Sequence, residues 1–333
     1  MAALGAAIGL ITHPVSIMEE MLPVKVAVLD DYQGVALSSA DWSPLNDRAE
    51  IVVFRDHVSE ADAIVERLAP FDVVCVMRER TPLPRAIIER LPRLRLIAST
   101  GPRNASIDAA AASERGITIA NTGYTSHGAI ELTWALIHAA TRHVPDEVAS
   151  LRAGGWQVAV GGDLAGHTIG IVGLGRIGSA SARIANAFGM DVIAWSSNLT
   201  PEKAADAGAR YVSKEELFRQ ADIVTVHLIL SKRSHGIIGA AELGLMKPTA
   251  WFVNTSRGPL VDEAALIDAL EHRRIAGAAL DVYDIEPLPA EHPFRRLPNV
   301  VATSHVGFVT RDTYEIFYRD TVKNILEWLA ATA

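Results

Sequence analysis

Residues 168–178 read Thr168, Ile169, Gly170, Ile171, Val172, Gly173, Leu174, Gly175, Arg176, Ile177, Gly178, a β-branched run that enters a Gly-x-Gly-x-x-Gly turn. An apolar-periodic stretch at 184–188 follows, so the segment predicts strand, glycine turn and helix. Gly173 permits the tight turn, Gly175 lets main chain approach a pyrophosphate, and Gly178 lets helix and strand pack closely. The helix's unpaired N–H groups would then face the phosphates of a dinucleotide.

Outward from this turn, short β-branched runs alternate with helical patterns. Strands are predicted near 24–29, 50–54, 72–77, 94–98 and 117–120, and again near 168–172, 191–195, 222–226, 250–254, 275–280 and 299–302. A long helical stretch at 128–142 separates the two series, and Pro145 begins a further helix that Gly154 and Gly155 end. The fold class is α/β with two doubly wound parallel-sheet domains. One is a Rossmann dinucleotide-binding domain, the other a flavodoxin-like substrate domain. The last helical pattern, about 310–329, has no strand after it, which suits a helix returning to the first unit. Residues 23–121 with 310–333 are therefore assigned to the substrate domain and 122–309 to the nucleotide domain.

The 333-residue chain is 49% hydrophobic and 21% charged, with net charge −8 and a pI near 5.8. That is an ordinary globular composition with no electrostatic footprint for nucleic acid or an anionic membrane. Any anionic substrate must be held by local arginines. Cys75 is the only cysteine, so an internal disulfide and a Cys-based zinc site are excluded, and a reducing, cytoplasmic setting is expected. Residues 2–12 are apolar, but no Lys or Arg precedes Lys25. About eleven apolar residues fall short of the ~20 that span a bilayer. Residues 1–22 are read as a poorly ordered extension, with Met18 or Met21 as an alternative start.

Three segments after the glycine turn carry chemistry. Arg257, Glu286 and His305 each directly follow a predicted strand, and in an open parallel sheet the strand C-termini line the ligand crevice. A guanidinium can grip a carboxylate bidentately, an imidazolium can donate a proton, and a carboxylate can orient that imidazole and stabilise its charged form. His227, also at a strand end, is the rival imidazole. His127 begins the long helix and faces either the cleft or solvent. Arg78, Arg80, Arg85, Arg90, Arg93 and Arg95 read mainly as a solvated face interrupted by Glu79 and Glu89. Arg78 and Arg80 stand apart because they follow a strand end.

These motifs resemble those of the D-isomer-specific 2-hydroxyacid dehydrogenase family. Arg257 and Glu286 are 29 positions apart and Glu286 and His305 are 19 apart, spacings like those of the family. The similarity runs from about Val24 to the C-terminus and includes Thr100, Gly101, Ser106, Ile107 and Asp108, with Glu131 in the linking helix. The resemblance implies that Arg257 holds the carboxylate of a small 2-ketoacid, a nicotinamide exchanges hydride with C2, and His305, partnered by Glu286, moves the proton. It also implies cofactor contacts from Gly173, Gly175, Arg176, Ile177, Gly178, Ser196, Ser197, His227, Thr255, Ser256, Asp281 and Gly307, and substrate contacts from Arg78, Gly101, Arg103 and Asn104. A homodimer built on about 131–166 is implied as well, with no metal.

Two departures from the family pattern matter. Ser196 stands where an NAD-specific member carries Asp, so a 2′-phosphate is not repelled, yet no Arg or Lys precedes Lys203 to attract one. NAD is therefore favoured over NADP by a small margin. In the substrate loop Pro102 removes a main-chain donor while Arg103 and Asn104 add side-chain donors, which points to a second polar or anionic group on the substrate. The Arg78–Thr81 segment, similar to that of phosphoglycerate dehydrogenases, points toward a phosphorylated or hydroxylated acid. A formate dehydrogenase would place Gln at 286; a phosphite dehydrogenase or a dinucleotide-sensing corepressor on this fold would keep the same three residue types.

Overall fold

A computed structural model describes residues 23–332, so the reading of 1–22 as an extension lies outside the described residues. The first sheet consists of β1 (Val24–Val28), β2 (Ala49–Val53), β3 (Val73–Val76), β4 (Leu96–Ser99) and β5 (Thr118–Asn121), all parallel in the order β2-β1-β3-β4-β5. The second consists of β6 (Thr168–Val172), β7 (Asp191–Trp195), β8 (Arg210–Tyr211), β9 (Ile223–Val226), β10 (Trp251–Asn254), β11 (Gly277–Leu280) and β12 (Val300–Ala302). Its order is β12-β11-β10-β9-β6-β7-β8, with β6 at the point where the winding reverses. Two parallel-sheet α/β domains result, as the alternation of strand and helix patterns required. The two-residue β8 is too short for a periodicity to announce it.

Both faces of each sheet are covered, which is why the strands read as near-continuous apolar runs. Along β1, Val26 and Val28 pack in one cluster and Ala27 in the opposite one, the period of two expected of a strand. The face carrying Val26 and Val28 is covered by the C-terminal helix Arg311–Thr332 through Phe317, Tyr318, Ile325 and Trp328. That helix therefore returns over 180 residues of intervening chain to seal the first sheet. Cys75 belongs to the same cluster, and burial pushes its thiol up to about 12, leaving it protonated and inert.

In the second domain the helix His127–Thr141 places Trp134 and Ile137 on the face formed by Ile169, Ile171 and Val253, together with Ala182 and Ala185 of the glycine-turn helix. The other face packs Val172, Val224 and Phe252 on Leu217, Phe218 and Leu266. No helix among the described residues is long and apolar enough to cross a membrane. With the strands parallel, the C-terminal ends of β1, β2 and β3 and those of β10, β11 and β12 open onto one interdomain cleft, lined from both sheets by His57, Glu79, Arg80, Tyr283, Glu286 and His305.

Candidate active site

His305 and Glu286 meet on the second-domain wall of the cleft. His305 Nδ1 lies 2.6 Å from Glu286 Oε2, and the other carboxylate oxygen accepts the Tyr283 main-chain N–H at 2.9 Å. An ionised carboxylate only accepts, so Nδ1 carries the proton. Nε2 is left without a hydrogen-bond partner among the described residues. The Tyr283 hydroxyl donates to the Thr303 carbonyl at 2.6 Å and so ties the two loops together.

The His305 backbone is left-handed, with φ +54°. A non-glycine residue there costs on the order of 1–3 kcal/mol and persists only where its surroundings hold it. Asp281 does the holding: its carboxylate accepts the N–H groups of Val306 and Gly307 at 2.8 and 2.9 Å and the Thr303 hydroxyl at 2.6 Å. Asp281 is 1% exposed, and burial raises its carboxyl despite these donors. These hydrogen bonds set the loop that presents His305 and keep Asp281 and Gly307 side by side at the site.

Arg257 reaches the same cleft from the end of β10. Asn254 shapes its loop by accepting from Ser256 N–H and donating to the Arg257 carbonyl, both at 3.0 Å. Gly258 allows close approach to the loop that carries Glu286, since a Cβ there would sit 2.1 Å from the Tyr283 carbonyl carbon. Arg257 Nη1 donates to the Ser256 carbonyl at 2.7 Å, while Nη2 crosses the cleft to both oxygens of Glu79 at 3.3 and 3.4 Å. Burial alone would raise the Glu79 carboxyl, but Arg257 and Arg78 outweigh it and hold the group below the usual carboxylate range.

The first-domain wall adds His57, Asp30 and Thr81, which the sequence did not single out, to Arg78 and Arg80, which it did. His57 Nδ1 is 2.9 Å from buried Asp30, whose second oxygen accepts from Thr81 at 2.7 Å. Arg80 donates to the Asp30 carbonyl at 2.8 Å and lies over the rings of Tyr32 and Phe308. Asp30 and Arg78, like His305, have left-handed backbones, so three such non-glycine residues lie in or against this cleft. The only available signal was position after a strand end; the partners lie tens to hundreds of residues apart.

Of the expected substrate-loop residues, only Arg78 lines the cleft. Gly101 N–H donates to the Thr122 hydroxyl at 2.7 Å. The Asn104 amide is consumed locally, donating to the Arg78 carbonyl and the Ser99 hydroxyl and accepting from Ser106. Asn104 thereby braces the loop after β4. Arg103 is exposed and lines neither part of the cleft.

The glycine turn fits a dinucleotide. Gly173 has φ +101°, and a Cβ on Gly178 would lie 2.1 Å from the Gly173 carbonyl oxygen, so helix and turn touch where only glycine is accommodated. Gly175 caps the helix Arg176–Ala187, with open space where a side chain would stand. N–H groups of that helix's first turn lack intrahelical acceptors and are available to phosphate oxygens; Arg176 is exposed and Ile177 partly buried. Gly173 N–H donates to the Trp195 carbonyl at 2.8 Å, which brings Ser196 and exposed Ser197 beside the turn. His227 sits behind Gly173, 3.1 Å from the Thr225 hydroxyl, and burial pushes it down to about 4. It is thus neutral at ordinary pH and unsuited to proton donation. Thr255 pairs with Thr133 at 2.7 Å, and Ser256 donates to the Leu228 carbonyl at 2.6 Å, so both hydroxyls are already engaged. His127 is exposed and lines a separate groove with Arg176.

Residues 134–307 match the family model described as "D-isomer specific 2-hydroxyacid dehydrogenase, NAD binding domain". The chain is 41% identical over 237 residues to the glyoxylate reductase of Aeropyrum pernix, covering 68% of this chain and 71% of that protein. With the glyoxylate reductase of Korarchaeum cryptofilum it shares 34% identity over 292 residues, 85% of this chain and 88% of that one. A solved phosphoglycerate oxidoreductase from Vibrio cholerae O395 superposes with TM-score 0.88 at 37% identity, covering 93% of this chain and all of that one.

Proposed function

Because the chain belongs to the D-isomer-specific 2-hydroxyacid dehydrogenase family and is an NAD(P)-using oxidoreductase acting on 2-hydroxyacids, we propose that it reduces the carbonyl of a small 2-ketoacid with His305 as proton donor, Glu286 as its partner and Arg257 as carboxylate receptor. The observation that carries this reading is the 2.6 Å contact between His305 and Glu286 in a cleft that Arg257 also lines. A bound nicotinamide supplies the hydride to C2. Arg257 fixes the substrate carboxylate, and His305 Nε2, facing no acceptor among the described residues, gives its proton to the C2 oxygen as that carbon becomes an alcohol. Glu286 holds Nδ1–H and offsets the imidazolium charge. In the oxidative direction His305 takes the proton back. Reduction therefore draws on the charged imidazole and oxidation on the neutral one.

The dinucleotide is held by the glycine turn and the first turn of the Arg176–Ala187 helix, with His227 as a neutral wall. Ser196 neither repels a 2′-phosphate nor neutralises it, and the ammonium of Lys214, over the Trp195 ring, is already paired with Glu242 at 2.8 Å. Cofactor choice is accordingly relaxed and tilts to NADH; a preference above about 100-fold for NADPH, nearly 3 kcal/mol, would overturn this. Exposed Trp156 and Val160, at 74% and 95%, support the dimeric reading of 131–166.

The test is steady-state reduction of glyoxylate, pyruvate and hydroxypyruvate by wild type and Arg257→Lys. Wild type is expected to turn over at least one, and the lysine variant to lose about 100-fold in kcat/KM, because a point charge does not replace a planar fork. Absence of any turnover across the panel would defeat the reading.

A further inference from the structure

Glu79 stands on the substrate-domain wall, one residue past Arg78, and its partner Arg257 lies 178 positions away in the other domain. Both Glu79 oxygens face the single nitrogen Nη2, at 3.3 and 3.4 Å, longer than the 2.7–2.9 Å of a tight charge-assisted bond. The two side chains are 28% and 34% exposed. A half-wet pair of this length holds weakly and exchanges readily. A second guanidinium is in reach, since Arg78 Nε lies 3.8 Å from Glu79 Oε2. Two guanidinium groups, one from each domain, thus face one carboxylate, while Arg80 is turned to the Asp30 carbonyl and the rings of Tyr32 and Phe308.

We propose that Glu79 is a charge filter that sets substrate class: it yields Arg257 to the single carboxylate of a small 2-ketoacid and repels substrates bearing a second anionic group. This rests on the reading of Arg257 as carboxylate receptor. When a substrate carboxylate takes Nη2, Glu79 stays on the wall against Arg78, still ionised, and its charge lies where a carboxylate or phosphoryl group on C3 would have to pass. Without Glu79 the two guanidinium groups it now faces, Arg78 and Arg257, form a cradle suited to a dianion. Position 79 thus reverses the preference that the flanking arginines alone would confer, and the relevant substrates carry one negative charge.

The experiment compares matched pairs that differ by one anionic group: pyruvate with oxaloacetate, and hydroxypyruvate with phosphohydroxypyruvate. Values of kcat/KM at saturating NADH are measured for the full-length wild type, Glu79→Gln and Glu79→Asp, with Glu79→Ser as second neutral variant should the glutamine form fail to fold. Wild type is expected to favour the monoanion of each pair at least tenfold. Either neutral variant raises the dianion-to-monoanion ratio by about tenfold or more, chiefly through KM, and Glu79→Asp keeps it within about threefold of wild type. An unchanged ratio in the neutral variants, or an aspartate variant that behaves like them, overturns the charge filter while leaving the proposed reaction intact. If wild type reduces neither these monoanions nor glyoxylate, the catalytic reading fails and the filter falls with it; turnover of glyoxylate alone overturns the filter and leaves the catalytic reading standing.

Discussion

Two ion pairs in one cleft, Glu286 with His305 and Glu79 with Arg257, are built in opposite ways. Their carboxylates are similarly exposed, at 32% and 28%, so burial does not distinguish them. Bracing does. Glu286 and His305 leave neighbouring strands of one sheet, and Asp281 and Tyr283 lock both loops before any ligand arrives. Glu79 and Arg257 belong to different sheets and touch across the cleft at 3.3–3.4 Å. The proton-moving pair is preassembled within one domain, whereas the anion-binding arginine is occupied by a contact that substrate must displace. Preorganisation is applied where charge moves during reaction, and exchangeability where substrate enters.

The largest effect should come from breaking the braced pair. His305→Gln is expected to lower kcat for ketoacid reduction by about 10²–10⁴ with dinucleotide affinity nearly unchanged, the usual range for losing a general acid; steady-state rates and cofactor titration check both parts. A smaller effect tests the bracing itself. Asp281→Ala strips an acceptor from two N–H groups and one hydroxyl around a left-handed His305, so a loss of about 2–3 kcal/mol in urea unfolding is expected, with kcat falling along with stability.

The smallest effect concerns His227, the neutral imidazole on the same wall. Its folded value, about 4, lies below the ordinary 6.5, so between those values the unfolded chain binds the extra proton. Stability must then fall as pH drops through that window, by about 1–2 kcal/mol at pH 5. In His227→Gln this part of the acid loss should vanish from thermal melts compared at pH 7 and pH 5. An identical pH dependence in the variant would remove His227 as its source.

Much of this comparison was legible in the sequence, and unevenly so. Strand periodicity and the turn at Gly173, Gly175 and Gly178 are local signals, and they place both sheets and the dinucleotide fit. Arg257, Glu286 and His305 were legible because each follows a strand whose C-terminal end a parallel sheet turns toward one crevice. Glu79 was not. Among arginines it reads as local charge balance, which is what Glu89 does with Arg85, and nothing local reveals a partner across the domain boundary. Asp30 and His57 were hidden for the same reason. Asp281, Gly307 and Asn104 show the converse: their position beside the site was readable, but whether their polar groups face a ligand or their own loop is decided by hydrogen-bond geometry.

The central claim is that Glu286 and His305 act as one device, and a double-mutant cycle tests it most directly. kcat for ketoacid reduction is measured for wild type, His305→Gln, Glu286→Gln and the double variant at one pH and saturating cofactor. The double variant should be no slower than His305→Gln alone, within about threefold, because the carboxylate has nothing left to orient. Losses that multiply, so that the double variant falls by the product of the two single effects, would show two independent contributions and contradict the account.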